Sequence, residues 1–115
     1  MRMPSRGYLS GLVAALALML SASRASATDF CIVQESADGF VALRSRPSAD
    51  GALLVRAKPG EAVVIQKSAA GDQIVSGPWL RVLHFPATVA PAKSDPTFRL
   101  GKPGWMLRRY IDECG

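Results

Sequence analysis

Few side chains in this sequence can do covalent or acid–base chemistry: two cysteines, one histidine and nine carboxylates. Cys31 and Cys114 are the only thiols. In an oxidising compartment such an isolated pair forms a structural disulfide. A redox pair is the alternative, but catalytic dithiols usually sit together as Cys-x-x-Cys. With both sulfurs bonded, no cysteine nucleophile remains. His84 falls in phase with Leu80 and Val82 and reads as a partly exposed histidine at a strand edge. A catalytic or metal-binding role would need partners that the chain hardly supplies. Asp38, Asp50 and Asp72 stand in turn contexts, where aspartate organises backbone, and Asp112-Glu113 is a charged edge beside Cys114. Nucleophile, acid–base pair and metal cage are all missing, so neither an enzyme nor a bound metal or cofactor is expected.

Binding is the chemistry that remains. Flat aromatic rings offer contact area to an extended chain at small entropic cost, and the candidates are Trp79, Trp105 and Tyr110. Trp105 follows a glycine on what reads as a central strand, which favours the core over a groove. Trp79 and Tyr110 are evenly placed between core and surface. Arg44 and Arg46, two residues apart, share a strand face if the strand continues that far. With Arg56 and Lys58 they bracket one loop region, and Arg108-Arg109 lie near the end. Such residues suit anionic wall polymers or lipid head groups; ordinary solvated side chains are the plainer reading.

The elements that must position these residues are short. At 115 residues the chain allows one domain. Arg2 and Arg6, the apolar stretch Leu9–Leu20 and the small residues ending Ala25-Ser26-Ala27 have the pattern of a secretory signal peptide, expected over 1–27. Twelve helical residues span about 18 Å, short of a bilayer core of about 30 Å, so no stable membrane insertion is expected after cleavage. An uncleaved anchor is the alternative there. Without Arg2, Arg6 and Arg24 the remaining 88 residues carry 11 basic and 9 acidic side chains, net +2 rather than +5. With export, that makes nucleic acid a poor partner. An exported protein, periplasmic or secreted, is expected.

Apolar runs of strand length recur after residue 28, separated by Gly, Pro, Asp and Ser clusters, and no long helical pattern is present; the class is all-β. Strands are expected at Phe30–Gln34, Phe40–Arg44, Glu61–Lys67, Trp79–Phe85 and Trp105–Leu107, with Ala52–Ala57 a short strand or an ordered loop arm. Residues 86–103 contain Pro86, Pro91, Pro96 and Pro103. Proline has no N–H for a ladder, so this stretch is expected to be a long Pro-rich loop between two strands. Pairing of Cys31 with Cys114 would close about 80 residues, worth ~4–5 kcal/mol by chain-entropy arithmetic, and would set the first and last strands side by side.

The order of these segments resembles bacterial SH3-like domains. Gly39-Phe40-Val41-Ala42-Leu43-Arg44-Ser45-Arg46-Pro47-Ser48 is similar to that family's opening Leu-Arg-x-x-Pro signature. Lys58-Pro59-Gly60-Glu61-Ala62-Val63-Val64-Ile65 is similar to its Pro-Gly turn and following strand. Trp79-Leu80-Arg81-Val82 resembles its Trp-x-x-Val strand, Gly104-Trp105-Met106 its Gly-Trp-Val strand, and Arg108-Arg109-Tyr110-Ile111 its ending. The resemblance covers about 39–111, within a domain at 28–115. It implies a small, partly open β-barrel of five or more short strands with a single-turn 3₁₀ element near the end. The loop at 86–103 and the terminal cysteines depart from the pattern.

The resemblance implies a non-catalytic binding module. The acidic loop and second groove proline of Pro-x-x-Pro readers are not evident here. The expected ligand is a cell-wall peptide, namely a peptidoglycan stem peptide, or an extended protein segment of the cell envelope. Expected ligand-binding residues are Trp79, Tyr110, Trp105, Arg44 and Arg46, on a monomer. The alternatives are an assembly subunit docking on an envelope complex, or an inhibitor of a secreted hydrolase, each through the 86–103 loop.

Overall fold

The computed structural model describes residues 29–114. The expected signal segment lies outside the described residues. Eight strands form one antiparallel sheet: β1 (Cys31–Val33), β2 (Val41–Arg44), β3 (Leu53–Ala57), β4 (Ala62–Ile65), β5 (Val75–Ser76), β6 (Trp79–Phe85), β7 (Lys102–Leu107) and β8 (Ile111–Asp112). Their spatial order is β3-β2-β7-β6-β4-β1-β8, with β5 also beside β6. The sheet is therefore open, with β3 and β8 at its ends. Single-turn 3₁₀ helices occupy Pro96–Leu100 and Arg108–Tyr110, and no α-helix occurs among the described residues.

Strand β6 is the organising element. Its alternation sends Leu80, Val82 and His84 to one face and Trp79, Arg81, Leu83 and Phe85 to the other. The first face packs with Leu43, Val41, Val63 and Met106 into the main core, where Leu43, Val63, Val82 and Met106 have no exposed surface. The second face carries a smaller core of Ala62, Val64, Phe85 and Ala90, against which Phe30, Leu83 and Phe98 pack. Strand β4 is thus buried on both sides, which is why Val63 and Val64 are both apolar.

Residues 86–101, which link β6 to β7, make this second core possible. The segment folds back as a strap across the β4–β6 half of the outer face. Phe98 sets its ring 5.6 Å from that of Phe85. Gly101 lies flat against Phe85; a Cβ there would come within 2.6 Å of the ring. Asp95 caps the 3₁₀ turn by accepting hydrogen bonds from the Thr97 N–H and hydroxyl, at 2.8 and 2.7 Å, and Pro96 occupies the first turn, where its missing N–H costs nothing.

Several expectations need correction. The strap ends at Gly101 and not at Pro103, because β7 begins at Lys102 and Pro103 pairs with Leu83. Proline is tolerated there because β2 meets β7 only at Trp105, which leaves one side of Pro103 unpaired. Strand β4 is shorter than Glu61–Lys67, and the polar connection after it contains β5, which pairs Val75 with Leu80. His84 is 3% exposed, not a partly exposed edge residue. It is flanked by Val63 of β4 and Lys102 of β7, and the Glu61 carboxylate accepts a hydrogen bond from its ring nitrogen at 2.9 Å. The same Glu61 oxygen accepts the Lys58 N–H at 2.8 Å, closing the Pro59-Gly60 turn.

Cys31 and Cys114 are disulfide-bonded across 83 residues of sequence, and β1 lies beside β8 through Ile32↔Asp112 and Val33↔Ile111. The first and last strands are neighbours, as the staple requires. A bonded pair of this kind suggests an oxidising, exported environment. Among the described residues no helix is long and apolar enough to cross a membrane.

Candidate functional site

The path of β7 decides where its tryptophan points. Gly104 and Met106 face the main core and are buried, so alternation puts Trp105 on the outer face. Gly104 has to be a glycine: a Cβ would lie 2.7 Å from Leu43 Cγ and 3.0 Å from the Arg44 carbonyl oxygen. Leu43 fills the space that the missing side chain leaves. The expectation that Trp105 belongs to the core is therefore corrected. It is half-buried, on the part of the outer face beyond the strap.

Trp105 has an arginine on each side. Register places Arg44 of β2 opposite it on one edge and Arg81 of β6 opposite it on the other. The Arg81 guanidinium lies 5.7 Å from the Trp105 ring centre, within range of a cation–π contact. Arg81 Nε donates to Gln66 Oε1 at 3.1 Å, which holds the guanidinium by its inner edge and leaves its terminal nitrogens directed elsewhere. Arg44 Nη1 donates to the Gly51 carbonyl at 2.9 Å. Both cations are half-buried and oriented by neutral partners, and no carboxylate among the described residues forms an ion pair with either. A row of arginine, indole, arginine thus crosses three adjacent strands.

The other expected residues are distributed around this row. Trp79 lies on the same face of β6, two residues from Arg81 and opposite Leu107, but is only 9% exposed. Arg46 is exposed and donates to the Asp50 carbonyl at 3.3 Å; with Arg44 it holds the loop at 45–51 in shape. Tyr110 does not join the row. It packs against the main core, and the Arg109 guanidinium lies 4.8 Å from its ring centre. Trp79 and Tyr110 do sit near one end of β6 and β7, since the Arg108 N–H donates to the Pro78 carbonyl at 2.9 Å, yet no ring contact joins them.

Sequence reasoning missed Arg81 and Gln66 as site residues. Alternation in Trp79–Phe85 does place Arg81 on the outer face. That Trp105 is its partner depends on the register between strands some twenty residues apart in the chain, which no local pattern encodes. Glu61 was missed in the same way, as the acid that makes burial of His84 tolerable. The His84–Glu61 pair resembles two-thirds of a catalytic triad, but no hydroxyl or thiol hydrogen-bonds the ring among the described residues, so its evident work is to tie β6 to the turn before β4. No three His, Cys, Asp or Glu side chains gather as a metal cage among the described residues. A shallow depression beside the disulfide is lined by Ile32, Gln34, Glu35, Pro59 and Glu113; it offers no aromatic platform.

Comparison with protein families, curated proteins and solved structures finds no match for this chain.

Proposed function

We propose that the chain is an exported, non-catalytic binding module of the bacterial SH3-like kind, holding a cell-envelope ligand on the outer sheet face around Trp105. The ligand is a peptidoglycan stem peptide or an extended protein segment. The observation that carries this reading is the Arg44–Trp105–Arg81 row: a half-buried indole between two oriented cations that have no carboxylate partner among the described residues. Structural ion pairing would supply a carboxylate to such arginines, whereas a binding site leaves that place to the ligand. The SH3-like part of the reading is supported by where the family-like segments fall. Leu43-Arg44 closes β2, Pro59-Gly60 turns into β4, Trp79 opens β6, Gly104-Trp105 lies in β7, and a 3₁₀ turn at Arg108–Tyr110 precedes the last strand.

The rival reading, docking or inhibition through residues 86–103, has one observation in its favour. Val89 and Leu100 of the strap are 62% and 70% exposed, so two large apolar side chains of this segment face solvent.

Co-sedimentation of the exported chain with isolated peptidoglycan sacculi, at low and moderate salt, separates these readings. Wall binding through the proposed face predicts pelleting that Trp105→Ala reduces about ten-fold, the scale of a lost aromatic anchor, while Val89→Ser with Leu100→Ser leaves it unchanged. Pelleting insensitive to Trp105→Ala would refute the assignment of this face to a wall ligand. Pelleting lost only in the strap variant would favour the rival.

A further inference from the structure

The row has a spacing as well as a charge. Neighbouring strands lie about 4.8 Å apart, so Arg44 and Arg81, one strand to either side of Trp105, are separated by about 9.6 Å at their backbones. A peptide in the polyproline-II conformation advances about 3.1 Å per residue with three residues per turn, which brings residues i and i+3 to the same side about 9.3 Å apart. In a β-strand, side chains three apart point to opposite faces. The left-handed extended form, at three-residue spacing, therefore matches the backbone spacing of the two arginine positions, and the β form at that spacing does not.

Both ends of the row select carboxylates. Arg81 is held through Nε by Gln66 and Arg44 through Nη1 by the Gly51 carbonyl, so each keeps further N–H donors for a ligand without having to be ordered first. A planar guanidinium with two N–H groups on one edge pairs with a carboxylate in bidentate fashion. The indole between them offers an apolar platform for whatever separates the two acids. The strap closes the adjoining half of the face, with Phe98 over Phe85, so the ligand must cross the sheet on the Trp105 side.

From these spacings and charges we infer that the Arg44–Trp105–Arg81 row docks an acidic, extended segment of a partner protein, with two carboxylates three residues apart and apolar residues between them. This rests on the Trp105 face being the binding site, and of the two ligands proposed above it selects the protein segment.

The test uses the full exported chain with its disulfide intact and an end-blocked Asp-Pro-Pro-Asp peptide, the prolines serving to stiffen it. The counterpart Asn-Pro-Pro-Asn keeps shape and loses charge. The chain has two tryptophans, so the indole N–H resonances separate the row from its surroundings, Trp79→Phe assigning them. The expected result is a saturable shift of the Trp105 indole with the acidic peptide, with binding weakened about ten-fold by Arg81→Gln or by Arg44→Gln, the scale of one charge-assisted pair, and further by the Asn peptide, which loses both pairs. Both arginines are partly solvated, so the glutamine variants keep the fold; unchanged amide spectra away from the row check this. Equal binding of the Asp and Asn peptides would overturn the acidic inference while leaving Trp105 as the binding face. Soluble wall muropeptides that shift Trp105 where the acidic peptide does not would overturn the choice of a protein partner. A Trp105 indole unmoved by either peptide, muropeptides or sacculi would overturn both this inference and the reading beneath it.

Discussion

A Cβ at position 104 would meet Leu43 Cγ at 2.7 Å and the Arg44 backbone carbonyl at 3.0 Å, and neither can retreat, one being wholly buried and the other part of the ladder to β7. Gly104→Ala is expected to destabilise the domain by about 1–3 kcal/mol, the usual range for overpacking a filled core, seen as a lower urea midpoint with an unchanged slope. An unaltered midpoint would show that Leu43 repacks freely and that the glycine is not what keeps Trp105 outward. The residue itself was plain in the sequence as half of a Gly-Trp pair, but its reason was not, because the obstructing Leu43 comes some sixty residues earlier. His84 presents the same limit. Its phase with Leu80 and Val82 already pointed inward, yet only Glu61, brought alongside by the β4–β6 pairing, explains how an imidazole can sit 3% exposed in an apolar neighbourhood.

At the scale of elements, the 3₁₀ turn of the strap carries a response to pH. The Thr97 hydroxyl, and after it the Thr97 backbone N–H, hold the Asp95 carboxyl below its ordinary value of 3.8. A carboxylate depressed in the folded state contributes stability above its unfolded pKa and loses that contribution as pH falls through the folded one. The 3₁₀ turn at Pro96–Leu100 should therefore loosen below about pH 3.8, read as a change in the Thr97 amide and Phe98 ring resonances while the main-core resonances stay fixed. Asp95→Asn should abolish the pH dependence; a variant that still loosens in the same window would assign the effect to another acid. Among the described residues no strand lies between Phe85 and Lys102, and a 3₁₀ turn occupies Pro96–Leu100. The strap's apolar residues were too few and too irregularly spaced to show that Ala90 and Phe98 turn inward while Val89 and Leu100 turn out. The eventual partner of Phe98, Phe85, lies at the end of a strand whose outward face reads as surface until the strap covers it.

For the molecule as a whole, the all-β class followed from alternation and turn residues, whereas the full strand count and the sheet order did not: β5 lies in a stretch that reads as a polar connection. Nothing local announces that β2 lies beside β7 or that β1 separates β4 from β8. The cysteines were the exception, since two thiols near opposite ends leave one pairing and imply adjacent terminal strands. The two sulfurs have unequal surroundings: Cys31 belongs to the main core and is 3% exposed, while Cys114 is exposed. Losing the bond should cost about 2–5 kcal/mol in either single serine variant. Cys31→Ser should cost more than Cys114→Ser, because it also leaves a hydroxyl among apolar side chains. Thermal melts should rank Cys114→Ser above Cys31→Ser, with the double variant no worse than Cys31→Ser alone; additive losses would mean that the sulfurs act independently. The same bond has a consequence for degradation. Residues 31–114 form a covalent ring that includes all eight strands, so an exopeptidase working inward from either terminus is stopped at a cystine before it reaches the sheet. An endoprotease that cuts one exposed loop opens the ring without releasing a fragment. A single nick therefore leaves the parts joined and able to re-pair, and destruction of the domain requires a second cut or a reductant.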